Sequence, residues 1–358
     1  MKKTVCGEPN SAIKEGVLME ILHMWPLEHW HIEVCSKCSL MCPRCSRQEV
    51  PEGLTNQELS LEWFKHNFTG RILTDVRKIT FCGDDGDPIY AKDLIDILKW
   101  LRKENNAVQF VIVTNGSYKT KEWWEKLNLV LNEKDHIHFS LDGWDQESNN
   151  MYRINCDWKS ILAGIDALAN SQAYKTWATI AFKFNEDRLE YIKKLAREKK
   201  FDNFQLTFSS KFGKNYGTYP TNDPLQPSDR YVAEGRFTRE HTKLSDKVWR
   251  DQTLDMFTHR FNTEQTKNKL IIPLCMIGNK GLYLNSKGMF RPCCWTGLRY
   301  RHNKDIFHYI DFDRNLQEVM DDPNWKILFS GWRSGSGPRE CSEKCSAKKW
   351  NLSHATNW

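Results

Sequence analysis

His136-Ile137-His138-Phe139-Ser140-Leu141-Asp142 alternates polar and apolar side chains without a break. Successive side chains of a strand point to opposite faces. His136, His138, Ser140 and Asp142 therefore share one face, and Ile137, Phe139 and Leu141 the other. Residues 203–209 divide the same way, with Gln205, Thr207 and Ser209 against Phe204, Leu206 and Phe208. Residues 30–35 set Glu33 and Cys35 opposite Ile32 and Val34. Further strand-like runs cover residues 78–82, 108–114 and 177–184. Between the runs lie apolar stripes at helical spacing: Leu94, Ile97, Leu98 and Leu101; Ile161, Leu162, Ile165 and Leu168; Leu189, Ile192, Leu195 and Ala196. Short helices are expected near residues 61–68 and 122–127. Strands alternating with helices predict a parallel sheet with right-handed crossovers. The apolar faces must meet the helices, which leaves the polar faces inside. A closed eight-stranded barrel fills its interior with branched apolar residues. The expected fold is therefore α/β, a partial barrel of six βα units around a polar cavity.

The 358 residues have room for such a domain and a smaller one, and a hydrophobic share of 40% supports a real core. No run approaches the length of a membrane span, and the start, MKKTVCGEPN, lacks the apolar stretch of a signal peptide. A cytoplasmic setting is the expectation. A net charge of +6 without a basic stripe argues against nucleic acid as a partner. The sequence divides into an N-terminal extension (1–24), the barrel (25–210), an insertion and linker with a helix near 247–261 (211–265), and a smaller C-terminal domain (266–358). Residues 211–246 read as a loop without periodicity. The last segment carries short strands, a turn at Asn285-Ser286-Lys287-Gly288 and a helix near 316–328.

Cysteine decides the chemistry. There are 12, and without a secretory signal metal ligation or redox chemistry is a better reading than a disulfide framework. Cys38-Ser39-Leu40-Met41-Cys42-Pro43-Arg44-Cys45 places three thiols at C-x3-C-x2-C spacing on the loop after the first strand. Three thiolates on one tight loop suit three irons of a cubane, leaving the fourth iron open. A zinc site would want two separated ligand pairs.

In this spacing and place the sequence resembles the radical S-adenosylmethionine (SAM) superfamily, over roughly residues 30–210. Phe81-Cys82-Gly83-Asp84-Asp85-Gly86-Asp87-Pro88 is similar to the family's Gly-Gly-Glu-Pro segment, which holds the methionyl amino group. Thr114-Asn115-Gly116 ends the third strand as in many members. Ser140-Leu141-Asp142-Gly143, with Tyr152-Arg153, resembles the segment that hydrogen-bonds the SAM ribose and carboxylate. The resemblance thus implies Asp85, Gly86, Asp87, Pro88, Ser140, Asp142 and Arg153 as SAM contacts, and Cys38, Cys42 and Cys45 as ligands of a [4Fe–4S] cluster. Two departures stand out. Arg44 replaces the usual aromatic residue before the third cysteine, and Asp85-Gly86-Asp87 offers a shorter carboxylate than Glu.

The late cysteines, Cys275, Cys293 and the pair Cys341-Ser342-Glu343-Lys344-Cys345, follow the order of the twitch domain, a shortened SPASM extension. The resemblance implies one auxiliary [4Fe–4S] cluster on Cys275, Cys293, Cys341 and Cys345, with Cys294 spare; a structural zinc knuckle is the competing reading of these four thiols. The implied activity is reductive cleavage of SAM to a 5′-deoxyadenosyl radical and hydrogen abstraction, an oxidoreductase-type reaction driven by a flavodoxin or ferredoxin. A peptide or protein is the expected substrate, with dehydrogenation or rearrangement of a small sugar or nucleoside as the alternative. A non-catalytic iron–sulfur electron carrier is the reading from a different class. Glu33 and His138 point inward by parity and are candidates for substrate contact or proton transfer; no acid or base is singled out.

Overall fold

The computed structural model describes residues 25–49, 51, 54–213, 222–233, 237–253, 275, 281–294, 314–334 and 341. The N-terminal extension and Cys345 lie outside them. Nine strands form one sheet in the order β7-β6-β5-β4-β3-β2-β1-β8-β9. Six of them, β1 (His29–Ile32), β2 (Lys78–Phe81), β3 (Gln109–Thr114), β4 (His136–Ser140), β5 (Tyr174–Ile180) and β6 (Asn203–Phe208), pair in sequence order and are all parallel. The sheet ends on β7 (Thr238–Lys243) and β9 (Phe290–Arg291), so it is an open, partial barrel.

The helices follow the predicted stripes. They are α1 (Ser46–Glu49), α2 (Leu61–Asn67), α3 (Gly70–Thr74), α4 (Leu94–Glu104), α5 (Lys121–Asn128), α6 (Gln146–Asn150), α7 (Trp158–Ala167), α8 (Leu189–Glu198), α9 (Leu316–Met320) and α10 (Trp325–Ser334). Leu94, Ile97, Leu98 and Leu101 are fully buried on α4. Side-chain caps at Ser60, Thr120, Asp145 and Asp157 fix where α2, α5, α6 and α7 begin; each such cap contributes about 1 kcal/mol. Between α5 and α7, Gly164 leaves room for Trp124, whose ring a Cβ there would meet at 2.5 Å. Among the described residues no helix is long and apolar enough to cross a membrane.

Four expectations need correction. The fifth strand starts at Tyr174 and stops at Ile180, short of residue 184. Buried Asn185 turns the chain there, accepting from the Phe182 N–H and donating to the carbonyls of Ile180 and Asp142. The insertion is not all loop, because residues 238–243 form β7, antiparallel to β6. Its Thr-Arg-Glu-His-Thr-Lys sequence has no apolar face to read, since it is an edge strand, exposed or half-exposed throughout. Residues 247–253 are not helical. They cross the floor of the barrel, where Asp251 pairs with buried Lys78 at 2.5 Å, the Arg250 carbonyl accepts from Gln109, and Trp249 donates to the Lys134 carbonyl. The expected helix at 316–328 is two helices, broken at Asp321-Asp322-Pro323, because proline disfavours a helical residue before it.

The turn at Asn285–Gly288 forms as expected. The Asn285 side chain accepts from the N–H groups of Lys287 and Met289, and Gly288 takes φ +83°, which only glycine adopts freely. This turn joins β8 (Leu282–Leu284) to β9, and β8 pairs in parallel with β1. Trp25, Trp30, Phe290 and Trp325 pack edge-on and tilted around that junction. The described part of the C-terminal segment therefore continues the barrel sheet.

Candidate active site

The two faces of the sheet separate as the alternation predicts. Phe139 packs between Trp124 and Phe201 on the helix side. On the inner side His29 meets Thr80, His31 meets the Cys82 carbonyl, and His136 meets Thr176. Strand register sets depth in the cavity. Lys78, Gln109, His136, Thr176 and Asn203 are buried near the floor, whereas Cys82, Val113, Ser140, Ala178 and Thr207 are half-exposed nearer the carboxyl ends of the strands. Sites on barrels of this kind gather at those ends.

The cysteine loop emerges there. Cys42 is buried, and Cys38 and Cys45 are half-buried against the core. Burial pushes the Cys38 thiol up to about 12 and Cys42 up to about 11, the neighbouring thiols adding to both shifts. Such thiols are protonated until a metal displaces the protons. No three His, Cys, Asp or Glu side chains among the described residues close around a single ion. A cubane does not require that, because each thiolate takes its own iron. Three soft thiolates on one loop, with the guanidinium charge of Arg153 acting on Cys42 and Cys45, are a donor set that fits an iron–sulfur cluster.

The loop after β2 is locked against the cysteine loop. A Cβ at Gly86 would lie 2.1 Å from the Cys35 carbonyl oxygen and 2.8 Å from the Ser36 Cα, so only glycine permits this approach. Arg47 donates to the carbonyls of Ser36 and Asp85, and Ser46 donates to the Asp84 carbonyl. Glu33, buried at the end of β1, accepts from the Asp84 N–H at 2.8 Å, with Tyr283 of β8 beside its carboxyl. Burial, together with the charges of Asp84 and Asp85, holds the Glu33 carboxyl well above the usual carboxylate range.

The sequence-derived SAM residues fall into two groups. Asp85, Gly86 and Ser140 border the cavity and are half-exposed. Pro88, by contrast, is buried in a short helical turn, Pro88–Tyr90, capped by Asp87. Asp87 is itself buried and fully engaged, accepting from Ile89 N–H, Thr114 Oγ1, and both the backbone and side-chain nitrogens of Asn115. Burial raises its carboxyl to about 6. The Asn115 amide in turn stands 3.6 Å from the Cys38 sulfur. Asp142 is completely buried; one oxygen accepts from Arg153 Nε at 2.6 Å and the other from the Ile180 N–H at 2.7 Å. Burial works against the Arg153 charge, but Asp142 and Cys42 more than offset it, so the guanidinium stays protonated. Arg44, the departure from the aromatic pattern, forms a 2.5 Å ion pair with buried Asp223 and so ties the insertion to the cysteine loop. Sequence reading missed Arg47, Tyr283 and Asp223, whose contacts are long-range and leave no local pattern.

Cys156 is buried and receives the Gln146 amide at 3.6 Å. Cys275, Cys293 and Cys341 are buried within the core, and Cys294 is buried beside Cys293 but outside that core cluster.

Comparison with known proteins agrees with this geometry. The family model described as the radical SAM superfamily matches residues 32–198, and the chain thus carries a radical SAM domain. The GTP 3′,8-cyclase of Ectopseudomonas mendocina (strain ymp) is 26% identical over 141 residues, 39% of this chain and 41% of that protein; the match spans about two fifths of that relative's length. Among solved structures, native anSMEcpe with bound AdoMet and Cp18Cys peptide is 14% identical, with 90% of this chain and 86% of that chain covered and a TM-score of 0.50. Streptococcus suis SuiB bound to precursor peptide SuiA is 15% identical, with 91% and 74% covered and a TM-score of 0.50. These structural likenesses are likenesses of fold.

Proposed function

We propose that the chain is a radical SAM enzyme that modifies a peptide or protein by a two-electron oxidation. The interlock of the Cys38–Cys42–Cys45 loop with the loop at residues 82–87, at the carboxyl ends of β1 and β2, carries this reading. Cys38, Cys42 and Cys45 would hold a [4Fe–4S] cluster. Bound SAM would supply a 5′-deoxyadenosyl radical after one-electron reduction by a flavodoxin or ferredoxin, the cofactor carrying the hard chemistry.

The protein's part is positioning. Glu33 holds the Asp84 amide, and Asp87 holds Asn115 and Thr114, so the groups facing SAM are fixed on braced loops. Asp142 acts through Arg153, keeping a cation against Cys42, and Ser140 is the fourth-strand residue left to meet SAM directly. Hydrogen abstraction leaves a substrate radical that must lose a second electron. An auxiliary [4Fe–4S] cluster on Cys275, Cys293, Cys341 and Cys345 would accept it.

The peptide reading is supported by the fold shared with proteins seen with the peptides Cp18Cys and SuiA. The sequence similarity to a GTP 3′,8-cyclase supports a second reading, a nucleotide substrate. Mass spectrometry after anaerobic turnover separates them. A peptide product lighter by two hydrogens or carrying a crosslink sustains the first, and turnover confined to nucleotides or sugars overturns it.

A further inference from the structure

The loop that carries the three cysteines shows its other side to solvent. Met41 is 55% exposed and Cys42 beside it only 7%, so the loop turns the thiol inward and the thioether outward. Two further loops close around it. The Met41 N–H donates to the Ile154 carbonyl at 3.0 Å, and the Asn155 amide donates to the Ser39 carbonyl at 2.8 Å. Tyr118, on the loop after β3, donates its hydroxyl to the Asn155 carbonyl at 2.8 Å. Of the seven large apolar side chains exposed among the described residues, four (Met41, Tyr118, Met151 and Ile154) lie on these three bonded loops. Single exposed apolar residues need no explanation, but a group of this kind marks an interaction surface. The backbone points the same way. Tyr118 and Asn155 both take φ +67°, a left-handed conformation that is strained for a side chain as bulky as tyrosine, and such strain gathers at functional surfaces. The rim is cationic. Lys37 and Lys119 stand next to Cys38 and Tyr118 in the chain, both half-exposed. The charges of Asp87 and Glu58 act on Lys119, which places it beside the cysteine loop. Lys37 neutralises Glu58 at 3.1 Å, and the whole chain carries +6.

We propose that this patch is the docking face for the protein that delivers the reducing electron, an acidic one-electron carrier with the edge of its flavin or iron–sulfur group exposed. The inference rests on the proposed activity for its purpose, and it assigns that activity a surface for its electron supply. A partner seated on Met41 stands against the stretch between Cys38 and Cys42, on the solvent side of the loop. From there it can pass an electron inward, but it cannot place a C–H bond among the polar inner side chains of the barrel. The patch therefore suits a reductant and not the substrate. Electron transfer falls off steeply with distance, which favours the face nearest the cysteines. The other three exposed apolar residues, Leu129, Tyr191 and Val248, lie at the end of α5, on α8 and in the floor segment. The encounter needs only a small interface, because transient redox complexes bury less than about 1,200 Å². Lys37 and Lys119 steer an acidic partner and disfavour basic ones. The carrier is oxidised by one electron and the cluster on Cys38, Cys42 and Cys45 is reduced by one; no bond forms or breaks at the docking face.

The test is binding of a purified acidic flavodoxin, and separately of an acidic ferredoxin, to the anaerobically reconstituted, full-length protein. Isothermal titration calorimetry at low and at physiological ionic strength measures it, with basic cytochrome c as the control. At least one carrier should bind, more weakly as salt rises. Lys119→Glu and Met151→Glu should each raise its Kd about tenfold, whereas Tyr191→Glu, exposed on α8, should leave it unchanged. Glu147→Lys, one turn before Met151, should tighten binding. In the same preparations, carrier-driven formation of 5′-deoxyadenosine should fall about tenfold relative to dithionite-driven formation in the two patch variants, because a small reductant needs no docking. The docking face is overturned if neither carrier binds more tightly than cytochrome c, if both patch variants leave the Kd unchanged, or if Tyr191→Glu weakens binding equally. Sedimentation showing a dimer that Met151→Glu dissociates would assign the patch to a second copy and overturn it too. Looser binding by Glu147→Lys would refute the acidic partner. Absence of 5′-deoxyadenosine from the wild type with dithionite, with carrier binding intact, would refute the activity and leave the docking face standing; the reverse would refute the docking face alone.

Discussion

Removing the Asp142 carboxylate should destabilise the protein more than any surface substitution. Asp142 is completely buried and accepts two short bonds, from Arg153 Nε at 2.6 Å and from the Ile180 N–H at 2.7 Å. Asp142→Ala removes both acceptors and leaves a largely buried guanidinium without its counter-ion. Hydrogen bonds to charged groups contribute about 1.5–3 kcal/mol each, and breaking a buried pair from one side costs about 3–5 kcal/mol. The expected loss is therefore about 3–5 kcal/mol in urea unfolding followed by tryptophan fluorescence. Asp142→Ala with Arg153→Met removes the stranded charge and should recover about half of that loss, because the Ile180 N–H remains unsatisfied. A loss below about 1 kcal/mol in Asp142→Ala, or a double variant no more stable than the single one, would refute the reasoning.

Two further outcomes follow from the site. His138 is neutral in the folded protein, its imidazole pushed down to about 3 by burial and by Arg239 and His241, while the unfolded chain titrates near 6.5. Its contribution is complete above pH 6.5 and declines as the pH falls from there toward 3, because the unfolded state then binds the extra proton. Between pH 7.5 and 5.0 the wild type should lose about 2 kcal/mol more than His138→Gln, and identical pH profiles of unfolding would contradict this. Gly86→Ala must open a backbone contact of 2.1 Å, at an overpacking cost of about 1–3 kcal/mol. SAM affinity measured by equilibrium dialysis should fall about tenfold or more; unchanged affinity would show that the interlock does not shape the SAM site.

The parts of the fold that the sequence displayed were those with an apolar face to count. β4 and β6 alternate cleanly because one face meets helices and the other a polar cavity, and the stripe of α4 is buried residue for residue. β7 escaped because an exposed edge strand needs no apolar residue, and the floor segment because its polar side chains satisfy the barrel rather than a helix. At the candidate site, the grouping of Cys38, Cys42 and Cys45 on one loop was legible from their spacing. Asp87 and Asp142 were legible as positions but not in their roles, since only the three-dimensional contacts show that their oxygens are already occupied. Glu33 and His138 were placed inward by parity, yet one braces a loop through Asp84 and the other keeps an open nitrogen.

The most direct test of the account is SAM cleavage itself. Anaerobically reconstituted and chemically reduced protein should convert SAM to 5′-deoxyadenosine, quantified by liquid chromatography, and Cys42→Ala should abolish that product. Absence of 5′-deoxyadenosine from the wild type, or its undiminished formation by Cys42→Ala, would contradict the assignment of the three-cysteine loop as the centre of the chemistry.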